Sequence, residues 1–179
     1  MEMVSFSMRE DMSVIQYAWE FEKQNIKSDG EENDMIKSAG KSETRTLAEL
    51  AIQLWDSHTV PDLEKEFEHL VQSDRAVCFI KYVDNTAVGF AQCQLRTDYV
   101  EGTETSPVGY LEGIFVAKAY RHKGYAKELL MECEKWAKDK NCSEFASDCE
   151  LDNIDSLRFH MNMGFEEANR IICFRKNIE

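Results

Sequence analysis

The stretch Tyr110–Lys127, YLEGIFVAKAYRHKGYAK, decides how the rest of the chain is read. Tyr110 to Val116 is an apolar run of strand length. A short basic turn follows, and a helix opens at Gly124. Arg121, Gly124 and Ala126 fall in the pattern R-x-x-G-x-A. A glycine turn at a helix N-terminus presents outward N–H groups, a ready site for a phosphate or pyrophosphate. Small residues let the backbone approach an anion, while Arg121, His122 and Lys123 add charge or donors. The same six residues also suit an ordinary strand–turn–helix with a solvated basic turn. Their neighbours distinguish the two: Glu112 lies on the preceding strand, and an asparagine-bearing helix closing at Gly164-Phe165 comes after.

Outward from this stretch, alternation and helical spacing divide the chain. Met35–Ser42 reads as a first strand. Gly40-Lys41-Ser42 ends like a Walker A motif, but Met35 stands where its first glycine is required, which excludes a nucleotide triphosphatase. Helices follow from Arg45 to Trp55 and from Pro61 to Val71, around an aromatic loop Trp55-Asp56-Ser57-His58. Arg75–Val83 and Thr86–Leu95 form strands joined at Asp84-Asn85, a hairpin signal. Arg96–Pro107 is a polar loop. The helix opening at Gly124 runs to about Lys140, with Ala126, Leu129, Leu130, Cys133, Trp136 and Ala137 inward. Ser143–Asp148 is a strand, Asp152–Met163 a helix and Ala168–Arg175 a final strand. This order predicts an α+β domain with a mixed, mostly antiparallel central sheet flanked by helices, parallel only around the helix after Gly124.

Composition narrows the function. The 179 residues suit one domain, with 43% hydrophobic and 31% charged residues. A net charge of −13 argues against nucleic acid as partner and is compatible with a cationic substrate. No apolar stretch reaches membrane-spanning length and no signal peptide is evident, so the expected location is cytoplasmic, with no membrane partner. Six scattered cysteines, four in apolar patterns, read as free thiols. His58 and His69 lack partner cysteines, and no metal site is expected. Residues 1–34 hold nine acids and three bases. They read as an acidic extension with a short amphipathic helix (Val14, Ile15, Ala18, Trp19, Glu22), ahead of a domain over 35–179.

The pattern R-x-x-G-x-A, with Asn153-Ile154-Asp155-Ser156-Leu157-Arg158-Phe159-His160 and Gly164-Phe165, resembles the GNAT N-acetyltransferases. Leu54-Trp55…His58, Arg96-x-Asp98-Tyr99-Val100-Glu101-Gly102, Leu111-Glu112-Gly113-Ile114-Phe115-Val116 and Ala146-Ser147-Asp148 look like one branch, the aminoglycoside 6′-N-acetyltransferases. The resemblance implies a GNAT fold, acetyl-CoA as cosubstrate, direct acetyl transfer to a cationic aminoglycoside, and a homodimer. It implies cofactor contacts from Ile114, Phe115, Val116, Arg121, His122, Lys123, Gly124, Tyr125, Ala126, Lys127 and Asn153, with the Val116 N–H toward the acetyl carbonyl. The family's tyrosine that protonates the thiolate is here His160, so His160 or water would serve.

Amine acetylation needs a neutral amine, a stabilised oxyanion and a proton for the thiolate. A carboxylate at Glu112, between Leu111 and Ile114, is costly unless used or paired. It is a candidate base, or the group that holds an ammonium; the alternative is a structural pair with a lysine or arginine. Asp148, ending the next strand, is a second substrate carboxylate or the base itself, with helix capping as the alternative. Trp55 and Tyr99 would wall the amine site, joined by His58 and Asp98. Another cationic amine as substrate, or a protein that binds acyl-CoA without catalysis, would leave the same motifs.

Overall fold

The computed structural model describes residues 33–178, and residues 33–179 form one compact unit. The amphipathic segment expected around Val14–Glu22 lies outside the described residues. The strands are β1 (Asp34–Ser38), β2 (Ala76–Val83), β3 (Thr86–Arg96), β4 (Val108–Val116) and β5 (Phe145–Ser147). The helices are α1 (Thr44–Ala51), α2 (Val60–Leu70), α3 (Tyr125–Asp139) and α4 (Ile154–Asn162). The sheet order is β1-β2-β3-β4-β5. Every pairing is antiparallel except β4 with β5, which α3 connects. This is the mixed sheet expected from the order of elements.

Helices cover both faces of the sheet, which is why β2 is almost continuously buried rather than alternating. On one face Phe79, Ala91, Cys93 and Leu111 pack with Leu129, Leu130 and Cys133 of α3. On the other, Cys78, Ile80, Phe90 and Phe115 meet Leu47, Leu50, Ala51, Leu63 and Phe67 of α1 and α2. Lys81 is 1% exposed within this sheet. Its ammonium reaches Asp34 at 3.2 Å and Glu128 at 2.5 Å, the pairing a buried charge requires. Asp84 and Asn85 both take positive φ, 49° and 63°, the geometry of a two-residue hairpin turn.

Several element ends shift by a few residues, and three departures from the sequence reading are larger. β1 stops at Ser38 because the next residues form a helix entry: the Glu43 carboxylate accepts the Gly40 N–H at 2.8 Å. Helix α1 ends at Ala51, and Leu54 and Trp55 lie in the following turn. The final strand over Ala168–Arg175 is absent: residues 165–178 carry no regular structure, and Ile171, Ile172 and Phe174 are 68%, 80% and 90% exposed. Its apolar pattern is real, but a strand needs a paired neighbour to persist. Cys173 is exposed with it, whereas Cys78, Cys93 and Cys133 are buried free thiols.

Candidate active site

The site grows from an irregularity in β4. The β3–β4 register shifts between Gln92 and Cys93, which face Gly113 and Leu111, so Glu112 is an extra residue without a cross-strand partner. Such a bulge bends its strand and re-aims side chains. On the other edge, β5 pairs only with Gly109, Tyr110 and Leu111. β5 ends at Ser147, so beyond Leu111 the stretch Glu112–Val116 has no strand paired on that edge, and this open edge is the wedge. The Ser147 hydroxyl spans its apex, 3.1 Å from the Leu111 carbonyl.

Backbone alternation shows which donors face the wedge. Gly109 N–H donates toward β5, to Glu144 O at 3.1 Å; Ala117 N–H donates toward β3, to Val88 O at 2.8 Å. N–H directions alternate along a strand. Counting back from Ala117, Phe115 and Gly113 face β3, while Ile114 and Val116 direct their N–H groups into the wedge. Further along, Gly124 adopts φ +92°, and a Cβ built there meets nothing within 4 Å. Helix α3 starts at the next residue, and its first intrahelical bond is Glu128 N–H to Gly124 O at 3.1 Å. The N–H groups of Tyr125, Ala126 and Lys127 therefore precede the helical ladder.

Not every basic residue of the turn reaches outward. Arg121 folds back and donates its Nε–H to Val116 O at 2.9 Å, tying the turn to the strand end. His122 is exposed at φ 64°, and the Lys123 ammonium lies over the Tyr120 ring at 5.7 Å. Asn153 caps α4, accepting the Ser156 N–H at 3.0 Å. That role belongs to Asn153 rather than Asp148, whose capping alternative is thereby set aside.

The carboxylates form a linked side-chain network. Arg96 clasps Glu112 through two of its three nitrogens, Nε to Oε1 at 3.1 Å and Nη2 to Oε2 at 2.8 Å. Its guanidinium carbon lies 3.3 Å from the Tyr110 ring centroid, and the Tyr110 hydroxyl donates to Asp148 Oδ1 at 2.5 Å. Val108, Tyr110 and Glu112 stand two apart on β4, and Arg96, opposite Val108, reaches along them. Burial and the Asp148 bond raise the Tyr110 phenol above its ordinary range. Burial alone would lower the Arg96 pKa, but its bonds to Glu112 outweigh this and raise it. The pairing of Glu112 with an arginine, held above as the alternative, is thus present in the resting site. Neither Arg96 nor Tyr110 was among the site residues expected from the sequence: Tyr110 shares a strand face with Glu112, and Arg96 reaches that face through its long-range pairing opposite Val108.

The remaining predicted residues are dispersed. His160 donates Nδ1–H to the Ser156 carbonyl at 2.8 Å, since a carbonyl only accepts. Its Nε2 then meets Ser147 Oγ at 3.0 Å, at the apex of the wedge. Trp55 packs edge-on against Phe90 at 5.8 Å and presses on Gly113, where an added Cβ would lie 2.6 Å from its ring. It therefore lies against β4 at the residue after Glu112 while also serving the core. Tyr99 is 81% exposed and bonds Glu101 at 2.9 Å. His58 contacts its neighbour Ser57, and Asp98 is exposed. Among the described residues, Tyr99, His58 and Asp98 do not join the Arg96–Glu112 network, and no cluster of three metal-ligating side chains occurs.

Comparison with known proteins places this arrangement. The sequence pattern of the Acetyltransferase (GNAT) family matches residues 47–165. An aminoglycoside N(6′)-acetyltransferase type 1 from Acinetobacter haemolyticus is 39% identical over 144 residues, covering 80% of this chain and 99% of that protein. Its namesake from Salmonella enteritidis is 38% identical over 141 residues, 79% of this chain and 97% of that one. Among solved structures, aminoglycoside N-acetyltransferase AAC(6′)-Iy in complex with CoA superposes with a TM-score of 0.81 at 36% identity, covering 84% of this chain and 99% of that one. The same enzyme with the bisubstrate analogue CoA-S-monomethyl-acetylneamine gives 0.78 at 37% identity, covering 82% and 99%.

Proposed function

The chain belongs to the acetyltransferase (GNAT) family, and on that footing we propose that it transfers the acetyl group of acetyl-CoA to the 6′-amine of an aminoglycoside. The observation that carries this is the pairing of an open backbone wedge with a two-carboxylate network across one bulge. The relatives just named supply the drug class.

The residues present fit acetyl-CoA. Gly124 leaves space for a pyrophosphate beside the N–H groups of Tyr125, Ala126 and Lys127, with His122 and Lys123 as neighbouring charge. Phe115 and Asn153 flank the wedge and the α4 entry. The cosubstrate supplies an activated acyl group as its thioester. This chain supplies the Val116 and Ile114 N–H donors for the charge that develops on the acyl oxygen. Glu112 takes the proton of the incoming ammonium, directly or through water, so that the amine attacks as a neutral nucleophile. Asp148, held by Tyr110, is the second carboxylate near the amine. The thiolate recovers a proton from water, or from the Ser147 hydroxyl as His160, when both its ring nitrogens carry protons, passes its Nε2–H to that hydroxyl. Trp55, pressed on Gly113, walls the amine side; His58, Asp98 and Tyr99, outside the carboxylate network, would meet only the outer parts of the drug. Acetylation removes one positive charge from the drug and weakens its attraction to RNA phosphates.

The domain is proposed over 35–179 and the extension over 1–34, with Asp34 at their junction as the first residue of β1. A cytoplasmic location agrees with the absence, among the described residues, of a helix long and apolar enough to cross a membrane. A homodimer is supported by the exposed Ile171, Ile172 and Phe174 and by β5 as the outermost strand of the sheet. Sedimentation at micromolar concentration should give the mass of two chains; a single-chain mass refutes the dimer. For the activity, purified protein is mixed with acetyl-CoA and a kanamycin-type drug, and free thiol and product mass are followed. CoA release with one acetyl group on the 6′-nitrogen is expected. Turnover of spermidine with the drug ignored would move the assignment to another amine, and CoA binding without turnover on any amine would end it.

A further inference from the structure

Arg96 occupies the place where a substrate ammonium is needed. Its guanidinium holds both oxygens of Glu112, at 2.8 and 3.1 Å, and covers Tyr110, which carries Asp148. Glu112's side chain is only 21% exposed, and a carboxylate so placed is costly unless a cation meets it. In the resting protein Arg96 meets that need. An amine entering the site needs the same two oxygens. We propose that Arg96 is a resident counter-cation that must release Glu112 before the substrate ammonium can bind.

This inference rests on the assignment of Glu112 to the amine, made under the proposed function. Its logic is one of populations. If the amine-competent state is the one in which Arg96 has left Glu112, apparent affinity falls by the fraction of molecules in that state. The displaced guanidinium stays close by, because the Tyr110 ring and Asp148 remain on its other side. The fold thus keeps the carboxylate paired in both states, first by its own arginine and then by the substrate. Side-chain exposure of 41% for Arg96 leaves room for the swing.

The test compares wild type with Arg96→Gln and Arg96→Lys in steady-state assays with acetyl-CoA and a kanamycin-type drug. Arg96→Gln should lower the KM for the drug by about tenfold, as expected when a competing state populated at about nine-tenths is removed. The KM should change more than kcat, and Arg96→Lys, which keeps the cation, should return the KM toward the wild-type value. An unchanged or raised KM in Arg96→Gln, with a far-UV spectrum and melting curve like the wild type's, overturns the inference while leaving the activity standing. A wild-type protein that acetylates no drug overturns both. Should Arg96→Gln fail to fold, a crystal structure of wild type with CoA and the drug decides. Arg96 off Glu112 and a drug nitrogen on it supports the proposal; Arg96 still clasping both oxygens refutes it.

Discussion

In the function proposed, the two sides of the site are made of different material. The acyl side, along Glu112–Val116 and the turn to Lys127, is built from main chain: two N–H groups in a wedge and three at a helix start. The amine side is built from side chains alone, Arg96, Tyr110, Glu112 and Asp148, each held by the next. A main-chain site depends on conformation and tolerates many side chains. A side-chain network depends on every member.

If that contrast holds, substitutions should separate cleanly by side. Glu112→Gln should lower kcat by about a hundredfold or more, the range for losing a general base, with the KM for acetyl-CoA within about twofold. A parallel rise in the acetyl-CoA KM would erase the division. Gly124→Val forces a β-branched residue to φ +92°. A cost of about 2 kcal/mol, about thirtyfold, should appear in the acetyl-CoA KM and leave the drug KM alone. Val116→Ala keeps its N–H and should change either kinetic constant by less than about threefold, while lowering stability by about 1 kcal/mol. A collapse of kcat in that variant would show that the acyl side also relies on side chains.

The smallest effect concerns pH. Tyr110 has its phenol raised by burial and by its bond to Asp148, so the folded protein keeps that proton more tightly than the unfolded chain. The stabilisation is fully present below about pH 10, the ordinary tyrosine value, and is lost as pH rises toward the higher folded value. Melting temperature should therefore fall more steeply above about pH 10 in wild type than in Tyr110→Phe. Equal slopes would show that the network does not hold this proton.

The same contrast explains what could be read from the sequence. The turn around Gly124 was legible because a main-chain site leaves a local trace, small residues at fixed spacing. The order of strands and helices was legible from periodicity, and the Asp84-Asn85 hairpin from its turn residues. Glu112 and Asp148 were legible as residues but not as a network. Arg96 lies sixteen positions before Glu112, and only the β3–β4 pairing that sets Arg96 opposite Val108 brings them together. The tail was misread for a related reason. Ile171, Ile172 and Phe174 have a strand's composition, but composition does not supply the neighbouring edge a strand requires.

The wedge has a consequence for how such a protein can change over generations. A point mutation can delete a carboxylate, a ring or a guanidinium, but apart from proline it cannot delete a peptide N–H. The Ile114 and Val116 donors therefore pass through mutation almost untouched, and Ser147 at the apex needs only a hydroxyl. With the function proposed, lineages could exchange the amine-facing residues one by one while the thioester chemistry stays in service. Acceptor range should drift quickly, and the acyl donor hardly at all.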